Sequence, residues 1–134
     1  MSLVETIEFD VLGDLRGGLI SLEQEKNIPF IIKRVYYIFD TKVGVVRGFH
    51  AHKKLRQMAI CVKGSCTIKM DDGVSVKHVT LSSPSRGLLI NPMQWHEMYD
   101  FSTDCVLMVL ADDFYDESDY VRRYEDFVEL VKGK

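Results

Sequence analysis

His50 and His52 stand two apart in the run Arg47-Gly48-Phe49-His50-Ala51-His52, which otherwise alternates like a strand. Side chains two apart on a strand leave the same face, so the two imidazoles project together. Paired imidazoles do one of two things: they hold a metal ion or they move protons. A third histidine, His96, follows Pro92-Met93-Gln94-Trp95. A lone histidine in an apolar run is ordinarily a core residue. His78 stands isolated on a polar face and is assigned no role. Arg34, Arg47, Lys53, Lys54, Arg56 and Lys63 crowd the same central stretch. A basic surface around paired histidines suits an anionic small molecule better than a polymer.

These residues must be carried by strands. Short segments rich in β-branched and aromatic residues recur through the chain, punctuated by turn signals. The pattern predicts strands over Glu5–Val11, Gly18–Glu23, Arg34–Phe39, Val45–His50, Gln57–Val62, Ser65–Met70, Ser75–Thr80, Gly87–Ile90, Glu97–Phe101 and Cys105–Ala111. Asp71-Asp72-Gly73, Lys63-Gly64 and Asp14-Leu15-Arg16-Gly17-Gly18 read as turns. Pro29, Pro84 and Pro92 fall at strand margins, where a missing N–H costs least. So many short strands predict a β-sandwich or jelly-roll barrel. The tail differs: Tyr120, Tyr124, Phe127, Val128 and Val131 recur at helical spacing, which predicts one short amphipathic helix packed on the barrel.

Composition narrows the class. The chain has 134 residues, 46% hydrophobic and 28% charged, with a net charge of −3. That predicts one domain over 1–134, large enough to bury a core without metal or disulfide staples. The charge gives no pull toward nucleic acid. No apolar run approaches the ~20 residues of a membrane span. The N-terminus lacks a basic region followed by an apolar core, and Cys61, Cys66 and Cys105 are an odd count without zinc-like spacing. The expectation is a cytoplasmic protein with buried free thiols.

The spacing of His50, His52, Gln57, Gly64 and His96 follows the cupin pattern, with an amide where cupins place a glutamate ligand. The fold expected is therefore all-β, a cupin (RmlC-like jelly roll) with one short C-terminal helix. A divalent ion is usually held by an anionic ligand or a tight set of imidazoles. Gln57 removes the carboxylate, and Arg47, Lys53, Lys54 and Arg56 bring positive charge. The expectation is an anion-binding, proton-transfer site with no metal.

Four runs carry a closer resemblance: Arg34-Val35-Tyr36-Tyr37-Ile38-Phe39, Arg47-Gly48-Phe49-His50-Ala51-His52-Lys53-Lys54, Trp95-His96-Glu97-Met98-Tyr99-Asp100-Phe101-Ser102 and Tyr115-Asp116-Glu117-Ser118-Asp119-Tyr120. Together they resemble the sugar-nucleotide 3,4-ketoisomerase family of cupins, from about Phe9 to Phe127. The resemblance implies conversion of dTDP-4-oxo-6-deoxyglucose to the 3-oxo sugar, without a cofactor, for 3-amino-3,6-dideoxyhexose biosynthesis. It implies His52 as the base at C3, with His50 as a second proton carrier or the group holding its tautomer. Tyr37, on a strand expected to face the same cavity, is a candidate donor, and Arg47 a candidate for the diphosphate or oxyanion. Gln57 is expected in the substrate site. Trp95 is a candidate for stacking on thymine or sugar, though a lone Trp on a strand is as often core.

Arg16 with His96 resembles the pairing in family members that give the axial C4 hydroxyl, dTDP-6-deoxy-D-xylo-hexos-3-ulose. A homodimer with an exchanged N-terminal strand is expected, since sheet edges need cover. The alternatives are a nucleotide-sugar 3,5-epimerase, a three-histidine iron oxygenase and a non-catalytic sugar-binding cupin. Against the epimerase, no acid on the predicted strands is spaced to serve His50 or His52.

Overall fold

Alternating apolar and polar side chains resolve into twelve short strands and one helix in the computed structural model, which describes residues 2–133. The strands are β1 (Glu5–Glu8), β2 (Leu12–Asp14), β3 (Gly17–Leu19), β4 (Arg34–Phe39), β5 (Arg47–His52), β6 (Gln57–Lys63), β7 (Cys66–Asp71), β8 (Val76–Leu81), β9 (Arg86–Ile90), β10 (Trp95–Tyr99), β11 (Val106–Ala111) and β12 (Tyr120–Val121). The helix is α1 (Tyr124–Lys132). Two antiparallel five-stranded sheets run β1-β9-β6-β11-β4 and β12-β5-β10-β7-β8, with β2–β3 a separate hairpin. This is the expected all-β jelly roll with a short C-terminal helix. No described helix is long and apolar enough to cross a membrane.

Three apolar clusters organise the molecule. The main core lies between the sheets, where Ala59, Ile68, Met70, Leu88, Met98, Leu107 and Val109 meet. A second covers the outer face of the first sheet, where Ile28 and Phe30 pack on Met58, Ile60 and Leu110. The third lies outside the second sheet, where Ala51, Trp95 and Val121 pack under Phe127 of α1. Ala51 and Trp95 therefore point outward, and the period of two turns their neighbours His50, His52 and His96 inward.

The predicted boundaries shift in places that matter. β10 begins two residues earlier than the Glu97–Phe101 expected, which puts His96 on the strand. β5 begins two residues later than expected and includes His52. Tyr120 is not helical: Asp116 caps a 3-10 turn over Glu117–Asp119, and Tyr120–Val121 then pairs with His52 and Ala51 as β12. Helix α1 starts only at Tyr124.

β5 carries an irregularity that sets the histidines. Its pairing with β10 shifts between His96 and Glu97. Gly48 has φ +93°, and a Cβ there would meet the His96 carbonyl oxygen at 2.8 Å. Phe49 also has positive φ, at 62°. Only glycine enters this conformation without strain while backbone approaches so closely. Gly48→Ala is expected to cost about 1–3 kcal/mol, read as a lower urea midpoint with an unchanged slope. An unchanged midpoint would contradict this role for the glycine.

Candidate active site

Register brings the three histidines together. His50 on β5 lies directly opposite His96 on β10. The ring centroids of His50 and His96 are 4.6 Å apart, those of His50 and His52 5.0 Å, and those of His52 and His96 6.0 Å. Tyr120 from β12 closes the group at 4.3 Å from His52 and 4.9 Å from His50. Arg122 caps the Tyr120 ring at 4.2 Å.

Each imidazole has an oxygen on its Nδ1 side. His50 Nδ1 is 3.1 Å from the Gly48 carbonyl and His96 Nδ1 3.2 Å from the Gln94 carbonyl. A carbonyl only accepts, so Nδ1 carries the proton in both rings and Nε2 is left with its lone pair. His52 Nδ1 lies 3.4 Å from Asp119 Oδ2, a charge contact longer than a good hydrogen bond. The Asp119 carboxylate is held by the Lys54 and Leu55 backbone N–H groups, at 2.8 and 3.2 Å.

Burial is the main electrostatic fact. It pushes His50 and His52 down to about 3 and His96 to about 4, and the neighbouring His96 ring adds to the shift of the first two. All three are neutral near pH 7 and so able to accept a proton. Two shallow hollows of about 300 Å³ open beside the cluster. One is lined by His52, Lys54, Asp119, Tyr120 and Arg34. The other is lined by His50, Arg47, Tyr36, Tyr37, Tyr120 and Arg34. Arg34 and Tyr120 border both. Four buried polar atoms stand without a hydrogen-bond partner among the described residues: Arg34 Nε, His52 Nδ1, Gln57 Nε2 and His96 Nε2. Such groups are costly unless a ligand or water meets them.

The expected site residues divide into two sets. His50, His52 and His96 come together, with Arg47 at their rim. Gln57 is buried on the inner face of β6, its Oε1 accepting a 2.6 Å hydrogen bond from the Tyr36 hydroxyl. Tyr37 borders the second hollow, but its side chain does not project inward. Its side chain lies on the outer, exposed side of β4 beside Phe39, 6.0 Å between centroids, because Arg34, Tyr36 and Ile38 take the inner positions. Tyr36 is the inward tyrosine, and burial pushes its hydroxyl well above the usual range.

Trp95 lies outside the barrel, buried against Phe127, with Nε1 donating to Glu97 Oε2 at 2.9 Å. It cannot stack on a ligand held by the histidines. Arg16 is at the tip of the β2–β3 hairpin, its side chain exposed and paired with Asp14 at 2.6 Å. It lines neither hollow. Arg56 turns away too, donating to the Pro29 carbonyl. Asp119 and Tyr120 are the additions. The acid that the strands lack comes from the 3-10 turn, so a histidine–carboxylate pair is present and the lack of an acid on the strands does not speak against an epimerase.

The three imidazoles offer one donor atom each within 4.8 Å of one another, a spacing a metal ion could use. Charge of both signs surrounds them, with the Asp119 carboxylate 3.4 Å from His52 Nδ1. Arg34 and Arg47 border the cluster, the Gln57 oxygen is taken by Tyr36, and Glu97 is turned outward to Trp95.

The family model described as FdtA: WxcM-like, C-terminal, matches residues 2–132. A TDP-4-oxo-6-deoxy-α-D-glucose-3,4-oxoisomerase from Aneurinibacillus thermoaerophilus is 55% identical over 127 residues, covering 95% of this chain and 91% of the relative. A crystal structure of a 3,4-ketoisomerase from Helicobacter canadensis superposes with a TM-score of 0.94 at 47% identity, over 96% of this chain and 97% of its own. A histidine-to-asparagine mutant of a 3,4-ketoisomerase from Thermoanaerobacterium thermosaccharolyticum, in complex with TDP-4-keto-6-deoxyglucose, superposes with a TM-score of 0.97 at 42% identity, over 100% and 97%.

Neutral burial of the imidazoles has a measurable consequence. Unfolded imidazoles bind protons from 6.5 downward, whereas His50 and His52 do so only near 3. The unfolded state therefore binds more protons in that window, and stability falls as pH is lowered across it. The thermal midpoint is expected to drop between about pH 7 and about pH 5, and to drop less steeply in His50→Gln. A midpoint that stays flat over that range would contradict neutral burial.

Proposed function

The chain belongs to the FdtA family of WxcM-like proteins, and on that premise we propose that it is a sugar-nucleotide 3,4-ketoisomerase acting on dTDP-4-oxo-6-deoxy-D-glucose. The observation that carries the reading is the 55% identity to a 3,4-oxoisomerase over nearly the whole chain. The cluster of neutral imidazoles supplies the chemistry that reaction needs.

Moving the carbonyl from C4 to C3 takes a proton from C3, passes through an enediol and returns a proton to C4. No electrons leave the sugar, so no redox cofactor is required. His52 is the proposed base at C3. A buried imidazole resists charge, and Asp119 at 3.4 Å offsets the charge it gains. His50 carries the second proton, its Nε2 free because Nδ1 faces the Gly48 carbonyl. Tyr120 takes the donor role first assigned to Tyr37, since its ring touches both histidines. Arg47 and Arg34 meet the diphosphate or the developing enolate oxygen. Gln57, tied to Tyr36, orients the inner wall.

His96 and Arg16 are proposed to steer C4 protonation toward the axial product. Arg16 lines neither hollow of its own chain, so this role requires a second copy. Several observations support a homodimer. Leu12, Leu15 and Leu19 of the β2–β3 hairpin are exposed, Leu15 completely, and Val35, Tyr37 and Phe39 expose an apolar stripe on edge strand β4. Such surfaces mark contact sites. Strand β1 pairs with β9 of its own chain, so the hairpin, rather than β1, is the element that would cross. Three unpaired cysteines fit a cytoplasmic setting. The 3-oxo product would pass to a 3-aminotransferase.

Incubation with dTDP-4-oxo-6-deoxyglucose and a 3-aminotransferase, followed by NMR of the amino sugar, is expected to give the axial C4 epimer. An unreacted sugar would overturn the assignment, and an equatorial product the stereochemical part of it. His52→Asn should abolish deuterium incorporation at C3 while leaving thymidine diphosphate binding within a few-fold. Undiminished exchange would remove His52 as base. Leu15→Asp is expected to shift the protein toward monomer in sedimentation, and an unaltered sedimentation coefficient would exclude the hairpin from the interface.

A further inference from the structure

The three cysteines, scattered in sequence, converge in space. Cys61 lies near the end of β6, Cys66 begins β7 and Cys105 immediately precedes β11. They are 0%, 1% and 4% exposed. Their sulfurs all lie within 4.8 Å of one another, with Cys61 and Cys105 Sγ 3.5 Å apart. The Lys63 carbonyl oxygen is 3.1 Å from Cys61 Sγ. The group sits far from the histidines. On β7, Met70 is opposite His96 while Cys66 pairs with Leu81 at the strand's other end. Four residues of strand put roughly 13 Å between them.

We propose that Cys61, Cys66 and Cys105 form a second site, a three-thiolate cradle for a divalent thiophilic cation, zinc by availability. Geometry is the first support. Four-coordinate zinc with Zn–S near ~2.3 Å requires sulfurs about 3.8 Å apart, and the triad spans 3.5 Å to at most 4.8 Å. The fourth ligand would be the Lys63 carbonyl, which accepts from the Cys61 thiol at 3.1 Å and is released when that proton leaves. Charge is the second support. On binding, three S–H bonds break, three metal–sulfur bonds form and three protons leave to solvent, with nothing oxidised or reduced. A divalent ion then leaves one net negative charge in the core. A monovalent ion would leave two, which burial penalises more heavily. The bound ion would tie the β6–β7 turn to the start of β11, apart from the isomerase site.

Spacing hides this cluster. Positions 61, 66 and 105 match no zinc motif, and only the meeting of β6, β7 and β11 assembles them.

Cobalt(II) added to the reduced, chelator-treated protein tests it. One equivalent per chain is expected to give a sulfur-to-cobalt charge-transfer band, lost in Cys66→Ala and retained in His50→Asn. A cobalt spectrum without sulfur character, or a band that survives Cys66→Ala, would overturn the proposal. Should Cys66→Ala not fold, stoichiometric zinc should slow modification of the wild-type thiols by a thiol reagent in mild denaturant at least tenfold. No protection would equally overturn it.

Discussion

Burial of His50, His52 and His96 on adjoining strands obliges all three rings to stay uncharged, and the rest of the site is organised around that. Three imidazoles within 6.0 Å of one another cannot all be protonated in a low-dielectric interior. Burial enforces the neutral forms; the carbonyl oxygens on Nδ1 of His50 and His96 pull the other way and serve instead to fix which nitrogen carries the proton. A neutral ring with a free lone pair is what proton abstraction beside a carbonyl demands. Asp119 beside His52 and the basic rim of Arg34 and Arg47 beside His50 place charge of each sign against the cluster.

Packing outside the sheet makes this arrangement rigid. Ala51 and Trp95 alternate with the histidines and are clamped beneath Phe127. Rotation of β5 or β10 that would swing a histidine away would expose this outer cluster. The bulge at Gly48 and Phe49 then aligns His50 with His96. The histidines thus sit on strands that pack on the core on one side and on the α1 cluster on the other, which holds them more tightly than loops would.

Much of this was legible from residue order. The period-two rule applied to the H-x-H segment brings two histidines to one face, and the cupin spacing brings His96 beside them. Adjacent tyrosines were not separable that way. Tyr36 and Tyr37 alternate, but both faces of β4 carry apolar groups, so only register against β11 decides which points inward. Trp95 was ambiguous for a related reason, because the second sheet is buried outside as well as inside. Tyr120 stands four residues before Tyr124 and mimics a helical repeat, yet Asp116 caps a separate turn first. Asp119 serves a histidine far along the chain, a contact that no local pattern signals.

Nitrogen-15 NMR of the histidine rings tests the central claim most directly. His50 and His96 are predicted to be neutral Nδ1–H tautomers at about pH 7 and to remain so at about pH 5, since burial holds them at about 3 and about 4. Ring nitrogens of either residue titrating with a midpoint near the ordinary 6.5 would contradict the account.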